Sequence, residues 1–384
     1  MRVTQSMITS RSIQHINQNF QKLHDLQNQA STGKKYTRPS QNPSAAMAAH
    51  GYRSQAAEIE QFQRNTSQVN NWLADSEAAL DQTAGSLQRV RELSVQAANG
   101  SYTPEDRTDI AAEVKEIRNH IVTLANSQSN GKYLFNGTDT GSKPVNDDML
   151  SLSFTEGPFA DWLEEGGEEA GPYAVYFGGE RYEFETGDEQ IAFRNENGER
   201  ITVDGLPDSP AFTREWTEET EEGPALMTEA VEAYKVVLSS SEGVSRNGDP
   251  VAFEMQKGVN IQANVDPQSV FNAGLFADLT VLEEALRNPE TSEDTLNELI
   301  GTVNGRLDEV VNARSELGAR QVRVDMITDR VNDQELLTKR MQSENEDADM
   351  SKVITELMAR ENIHQASLAS SARIMQPSLL DFLR

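Results

Sequence analysis

The sequence contains no cysteine. Disulfides, thiolate metal sites and cysteine nucleophiles are excluded, and cysteine usage leaves the redox compartment undecided. Apolar residues are also scarce, 36% of the 384 residues, against ~45–50% in ordinary globular domains even when glycine is allowed for. A thick core is not expected, and long, narrow helical packing suits the composition better. No segment approaches the roughly 20 apolar residues of a membrane span. The opening "MRVTQSMITSRSIQHINQNF" lacks the long apolar stretch of a secretory signal, so a soluble chain is expected that would leave the cell only by another route. Basic residues are few, 34 against 62 acidic ones, for a net charge of −28. Such a surface repels phosphate backbones and anionic lipid, so neither nucleic-acid binding nor membrane insertion is expected. Residues 147–222 hold much of the excess, with 22 acidic residues and 4 basic ones.

What is present is helical periodicity. Ile13, Ile16, Phe20, Leu23, Gln27 and Ala30 follow alternating steps of three and four, the spacing of a helix seam. Gly33 then offers a left-handed C-terminal turn. Pro39 and Pro43 push the residues before them out of helical geometry. Asn42 can cap the next helix with Pro43 at its first position, where no backbone N–H is needed. The stretch "STGKKYTRPSQNPSAAM" is thus expected to be an ordered elbow whose prolines fix the angle between two helices.

Beyond it, Ile59, Phe62, Thr66, Val69, Leu73, Ser76, Leu80, Thr83, Leu87, Val90, Ser94 and Ala97 hold the same alternation, which predicts left-handed coiled packing. "TPED" restarts helix as a capping box, with Thr103 as cap and Asp106 reaching back. Ile110, Val114, Ile117, Ile121 and Leu124 continue the spacing, predicting helix up to Asn130-Gly131. Leu296, Ile300, Val303, Leu307, Val310, Arg314, Leu317, Gln321, Val324 and Val331 repeat it near the other end. A last helix carries Met350, Ile354, Leu357, Leu368 and Met375, interrupted by Glu361 and His364 and stopped by Pro377.

Between these regions, "YAVYFGGERYEF" reads as a hairpin around Gly178-Gly179, and "IAFRNENGERITV" as strand, turn and strand. "EEGGEEAG" and "TEETEEG" read as polar loops. The expected fold class is mainly α: a long antiparallel coiled-coil-like rod from both chain ends with a small β-rich insert. The expected divisions are 1–43 (terminal helix and elbow), 44–134 (first rod segment), 135–270 (acidic β-rich insert), 271–345 (second rod segment) and 346–384 (terminal helix).

Catalytic chemistry is missing. His15, His24, His50, His120 and His364 lie in helical runs without metal-ligand spacing. No nucleophile elbow, phosphate loop or dinucleotide fingerprint occurs. Glu164, Glu165, Glu168 and Glu169 lack the alternation of a calcium loop and read as solvated. No enzyme, metal or cofactor is expected. The short first helix is poor at folding alone, and the last has a thin apolar face. Such stripes call for a covering partner, so 1–32 and 350–384 are expected to be loosely ordered until subunits assemble. The expected assembly residues are Ile13, Ile16, Phe20, Leu23, Ile354, Leu357, Leu368, Met375, Leu379, Leu380, Phe382 and Leu383. Ile59, Phe62, Val69, Leu73, Leu80, Leu87, Val90, Leu296, Ile300, Val303, Leu307 and Val310 are the expected rod core.

"MRVTQSMITSRSIQHIN", "QASTGKKYTRPSQNPSAAMAA", "DRTDIAAEVKEIRNHIVTLANSQSNGKYLFNGT" and the ending "SLLDFLR" resemble the flagellin-like family over roughly 1–140 and 270–384. "MRVT" and the P-S-x-N-P corner resemble its hook–filament junction branch more than its filament subunits. Flagellins usually open with an Asn-rich segment and carry "SSG.RINSA.DDAAG" at the corner. Phe382 stands where the junction branch often has Tyr, a conservative change. The resemblance implies a structural protein of the extracellular flagellum, exported through the type III apparatus. Its implied partners are the first hook-associated protein, flagellin, copies of itself and an export chaperone on the last helix. A filament subunit, or a coiled-coil secreted adhesin or effector, are the alternatives.

Overall fold

The computed structural model describes residues 5–99, 102–164, 171–185, 191–206, 209–220 and 223–375. The fold is mainly α, with long antiparallel helices from both chain ends and an inserted antiparallel sheet. Seven α-helices are described: α1 (Gln5–Thr32), α2 (Pro43–Ala97), α3 (Pro104–Ala125), α4 (Pro158–Glu164), α5 (Ala273–Arg287), α6 (Glu293–Glu346) and α7 (Met350–Met375). The chain divides into two compact units, one of residues 1–64 with 328–384 and one of residues 65–327.

In the larger unit, the alternating stripe of α2 from Thr66 to Ala97 is buried at every position, the Ser and Thr members included. Thr83 and Ser94 donate to the carbonyls of Ala79 and Val90 at 2.8 and 2.7 Å, which satisfies two hydroxyls inside an apolar seam. Trp72, Ala79, Ala84 and Leu93 are buried as well, because α2 has neighbours on two sides. Arg314 of α6 reaches Glu77 and Asp81 of α2 at 2.7 and 2.9 Å. Glu113 of α3 meets Arg89 of α2 at 2.8 Å. A second neighbour widens the apolar face beyond a single seam. Gln321–Asn70 at 3.1 Å and Arg314–Glu77 set α2 and α6 antiparallel. Of the expected rod core, all are buried except Phe62 and Ile300, which are half-buried.

Thr103 and Asp106 form the reciprocal capping box at the start of α3. Its end corrects the sequence expectation, since α3 stops at Ala125 and not at Asn130-Gly131. Asn126 turns out of the helix to bracket Val145 with two hydrogen bonds of 2.9 and 3.1 Å. Asn130 (φ 52°) and Gly131 (φ 76°) then close a hairpin between β1 (Gln128–Ser129) and β2 (Lys132–Tyr133). Two positive φ values in succession are what an Asn-Gly hairpin turn requires.

The insert is a seven-stranded antiparallel sheet in the order β8-β7-β6-β5-β4-β3-β9. Its strands are β3 (Tyr173–Phe177), β4 (Glu180–Glu185), β5 (Ile191–Arg194), β6 (Arg200–Asp204), β7 (Ala211–Thr220), β8 (Gly223–Val231) and β9 (Val237–Ser240). Gly178 and Gly179 make the β3–β4 turn at φ 60° and 82°. One face gathers Tyr173, Val175, Phe193, Ile201 and Leu238 beneath Phe159 and Trp162 of α4. On the other, Tyr176 and Val237 lie against Ala277 and Val281 of α5. Strand β3 is therefore covered on both faces, whereas β8 is exposed along most of its length. "TEETEEG" is not a loop: its first four residues end β7 and Gly223 begins β8. Cross-strand pairing with β8 holds these polar residues in a strand that their composition does not advertise. Of the other acidic run, Glu164 ends α4, while Glu165, Glu168 and Glu169 lie outside the described residues. A separate hairpin, β10 (Ala252–Gln256) and β11 (Val259–Gln262), completes the strands.

Candidate functional site

The smaller unit has little core. Its buried apolar side chains among the described residues are Ala49, Ile59, Val331 and Val353. Order at the bend between α1 and α2 comes instead from polar stitching. Gly33 takes φ 67° and its N–H donates to Gln29 at 2.9 Å, the left-handed exit of α1. The chain then pairs with the corner between α6 and α7. Lys34 and Asp347 form an antiparallel bridge, with Lys35 N–H to Glu346 O at 2.7 Å and Ala348 N–H to Gly33 O at 2.8 Å. Two helix corners more than 300 residues apart in sequence are thereby fastened to each other.

Side chains lock the same junction. Glu346 is 4% exposed and its Oε2 receives Arg53 at 2.9 Å and Lys34 at 3.2 Å. Lys34 also reaches Asp347 at 2.7 Å, and Ser343 donates to that carboxylate at 2.6 Å. Asn345 donates to both the Tyr36 hydroxyl and the Ala45 carbonyl at 2.9 Å, and Tyr36 donates to Ala45 at 2.9 Å. Gln41 Oε1 accepts from the amides of Thr37 and Arg38 at 2.8 and 3.1 Å. Asn42 Oδ1 accepts from Ala45 N–H at 3.1 Å, with Pro43 opening α2. Pro39 and Pro43 are exposed. They set local backbone angles, and the long-range fixing is done by Lys34, Arg53, Asn345, Glu346 and Asp347. None of these five is singled out by local pattern, because each acts through a partner distant in sequence.

The hydrogen bond from Arg53 holds Glu346 below the usual carboxylate range, and that from Lys34 does the same for Asp347. A depressed carboxylate stabilises the fold fully above its unfolded value and loses that contribution as pH falls through its folded value. The clasp is therefore expected intact at neutral pH and weakened as pH drops below the ordinary values of 4.5 and 3.8. Hydrogen exchange at Lys35 and Ala348, corrected for intrinsic rates, checks this. Protection should fall between pH 6 and pH 3, and Glu346→Gln should show reduced protection already at pH 7. Unchanged protection in both would contradict it.

Helix α1 packs along α7, with the Phe20 and His364 rings 6.0 Å apart. The pairing leaves much apolar surface uncovered. Phe20 is 55% exposed and Ile354 42%, and Ile13 and Leu368 are also exposed. Ile16, Leu23 and Leu357 are half-buried. Met47, Leu336, Leu337, Met358 and Ile363 add exposed apolar groups that the sequence reading leaves out. The i, i+4 spacing of Ile354 and Met358 is the signal available for the latter. Met375 ends α7, and Leu379, Leu380, Phe382 and Leu383 lie outside the described residues.

No group of metal-ligating side chains occurs among the described residues, and no helix among them is long and apolar enough to cross a membrane. What the arrangement offers is shape and adhesion: a fixed bend carrying a helix pair with apolar side chains facing outward.

Comparison with known proteins follows the same regions. Residues 3–140 match the bacterial flagellin N-terminal helical region and residues 300–383 the bacterial flagellin C-terminal helical region. The chain is 32% identical over 152 residues to flagellar hook-associated protein 3 of Salmonella typhimurium, covering 38% of this chain and 46% of that protein. It is 36% identical over 108 residues to flagellin FlaB1 of Treponema pallidum, covering 28% and 38%. The chain thus spans about half the length, or less, of these curated relatives. A putative flagellar hook-associated protein from Vibrio parahaemolyticus shares the fold, with a TM-score of 0.51 at 18% identity, over 80% of this chain and 100% of that one.

Proposed function

We infer the protein's role from its family: the chain belongs to the flagellin-like family, whose two helical regions it carries at residues 3–140 and 300–383. That family is one of structural flagellar proteins, and this chain is a flagellar component. We propose that it forms the junction between hook and filament, by helical self-assembly of its terminal helices. The observation that carries the proposal is the exposed apolar surface of α1 and α7, set at an angle by the stitched elbow. Burying a side chain such as Leu, Ile or Phe is worth about 1.5–3 kcal/mol. A half-exposed side chain retains about half of that for a neighbour, and a subunit ring repeats the gain at every interface. Heterologous contacts, one patch against a different patch on the next copy, suit a tube that extends without closing on itself.

On this reading Ile13, Ile16, Phe20, Leu23, Ile354, Leu357, Leu368, Met375 and the Leu-rich ending (Leu379, Leu380, Phe382 and Leu383) form the interface. Gly33, Pro39, Asn42 and Pro43 belong to the elbow. The partners are further copies of the chain, a first hook-associated protein on one side and flagellin on the other, with an export chaperone on the last helix beforehand. The flagellin-like relatives favour one second reading, a filament subunit. Immunogold labelling of isolated flagella separates the two. Label confined to the hook tip is the expected result, and label along the filament would replace the junction with the second reading.

A further inference from the structure

In the larger unit, a cavity of about 290 Å³ opens between β3, the end of β9, the start of α5 and α6. Every charged side chain lining it is an arginine: Arg181 from β4, Arg246 from the segment after β9, and Arg306 from α6. No carboxylate lines it, although the chain carries a net charge of −28. Chance placement on so acidic a protein would favour the opposite sign.

The three guanidinium groups differ in how they are held. Arg306 is nearly buried and fixed, with Asp278 at 2.7 Å and Glu309 at 3.0 Å behind it. Arg181 is tied at one end to Glu183 at 3.0 Å, while its Nε is buried and without a partner among the described residues. Arg246 is exposed and forms no ion pair among the described residues. A structural role accounts for Arg306 and for one end of Arg181, but not for the Arg181 Nε or for Arg246.

Neutral donors complete the lining. The Asn272 side chain caps α5 through Leu275 N–H at 2.8 Å. The preceding amides, of Ala273 and Gly274, have no intrahelical partner and stand at the positive end of the helix dipole. A Cβ on Gly274 would lie 2.7 Å from Arg306 Nη2, so glycine is what lets this guanidinium pack close against the start of α5. Ser240 and Ser241 add hydroxyls. Burial raises the pKa of Tyr176 against the pull of all three arginines, so its hydroxyl stays protonated.

We propose that this cavity binds a compact oxyanion, a carboxylate, sulfate or phosphate group, between Arg246 and Arg181 on one side and the first turn of α5 on the other. Such a group would give Arg246 its missing partner and satisfy the buried Nε of Arg181. The anion comes either from a free small molecule or from an acidic side chain of a second copy of this chain.

The test uses the full chain at low ionic strength, titrated calorimetrically with inorganic phosphate and with sulfate, against chloride as control. Saturable binding of at least one is expected, and Arg246→Gln should weaken it roughly tenfold or more, as loss of a charge-assisted hydrogen bond does. Arg181→Gln, its fold verified by circular dichroism, should weaken it as well. Sedimentation across a concentration series distinguishes the sources. Self-association reduced both by phosphate and by Arg246→Gln identifies a side chain of a second copy, and self-association indifferent to both identifies a free anion. No saturable binding by the wild type, or equal affinity in Arg246→Gln, overturns the site.

Discussion

Replacing Phe20 and Ile354 together by Asp is expected to leave the monomer folded and to abolish its incorporation into flagella. Both side chains stand largely in water in the free chain, Phe20 at 55% and Ile354 at 42% exposure. Surface substitutions of this kind cost a monomer within about 0.5 kcal/mol. In the proposed tube the same positions would meet apolar neighbours, where an unpaired carboxylate would cost several kcal/mol. The check has two parts. Circular dichroism of the purified variant should match wild type, and cells carrying it should lack filaments. Normal filaments on such cells would remove α1 and α7 from the interface.

The second large effect belongs to the sheet. Phe193 is fully buried, with the Phe184 ring 5.5 Å away and that of Phe159 at 6.4 Å. Phe193→Ala removes a ring from the centre of this cluster and is expected to cost about 3–5 kcal/mol, the usual range for an aromatic truncated in a core. For a domain of 150–250 residues that lowers the midpoint of its thermal transition by roughly 6–20 °C. The elbow and the terminal helix pair belong to the other compact unit. Below the new midpoint the variant should therefore still reach the hook tip. A thermal shift near zero would mean that the Phe193 cluster does not hold the sheet together.

The contrast between these two sites explains what a sequence can disclose about this protein. The α2 stripe is legible because one helix seam imposes one period, and burial of even Ser76 and Ser94 follows from position alone. Trp72 and Leu93 fall off that period, since they answer to a second neighbour that the period does not encode. The hairpin at Gly178-Gly179 is legible from its positive-φ turn. Strands β7 and β8 are not, because Glu and Thr residues there become strand through pairing rather than through burial. At the elbow, Gly33 and Asn42 act within a few residues of themselves and can be read directly. Lys34 and Asp347 cannot, for nothing local joins residues 313 positions apart. The prolines draw the eye in the sequence, yet the long-range stitching lies in residues that look like ordinary surface charge.

The larger unit buries most of its apolar side chains in its own core, although Leu226, Val322 and Met326 stay exposed, while the smaller one has little core and leaves Phe20, Ile354, Met358 and Leu368 in water. An exposed patch of this kind on a single molecule marks a surface awaiting a partner.

Hydrogen–deuterium exchange across residues 5–32 and 350–375, compared between the isolated chain and the chain in assembled flagella, is the direct test of the proposed interface. Rapid exchange is expected in these two helices in isolation and strong protection after assembly, with little change along the α2 stripe. Equal protection in both states, with the two helices already fully shielded in the lone molecule, would contradict it.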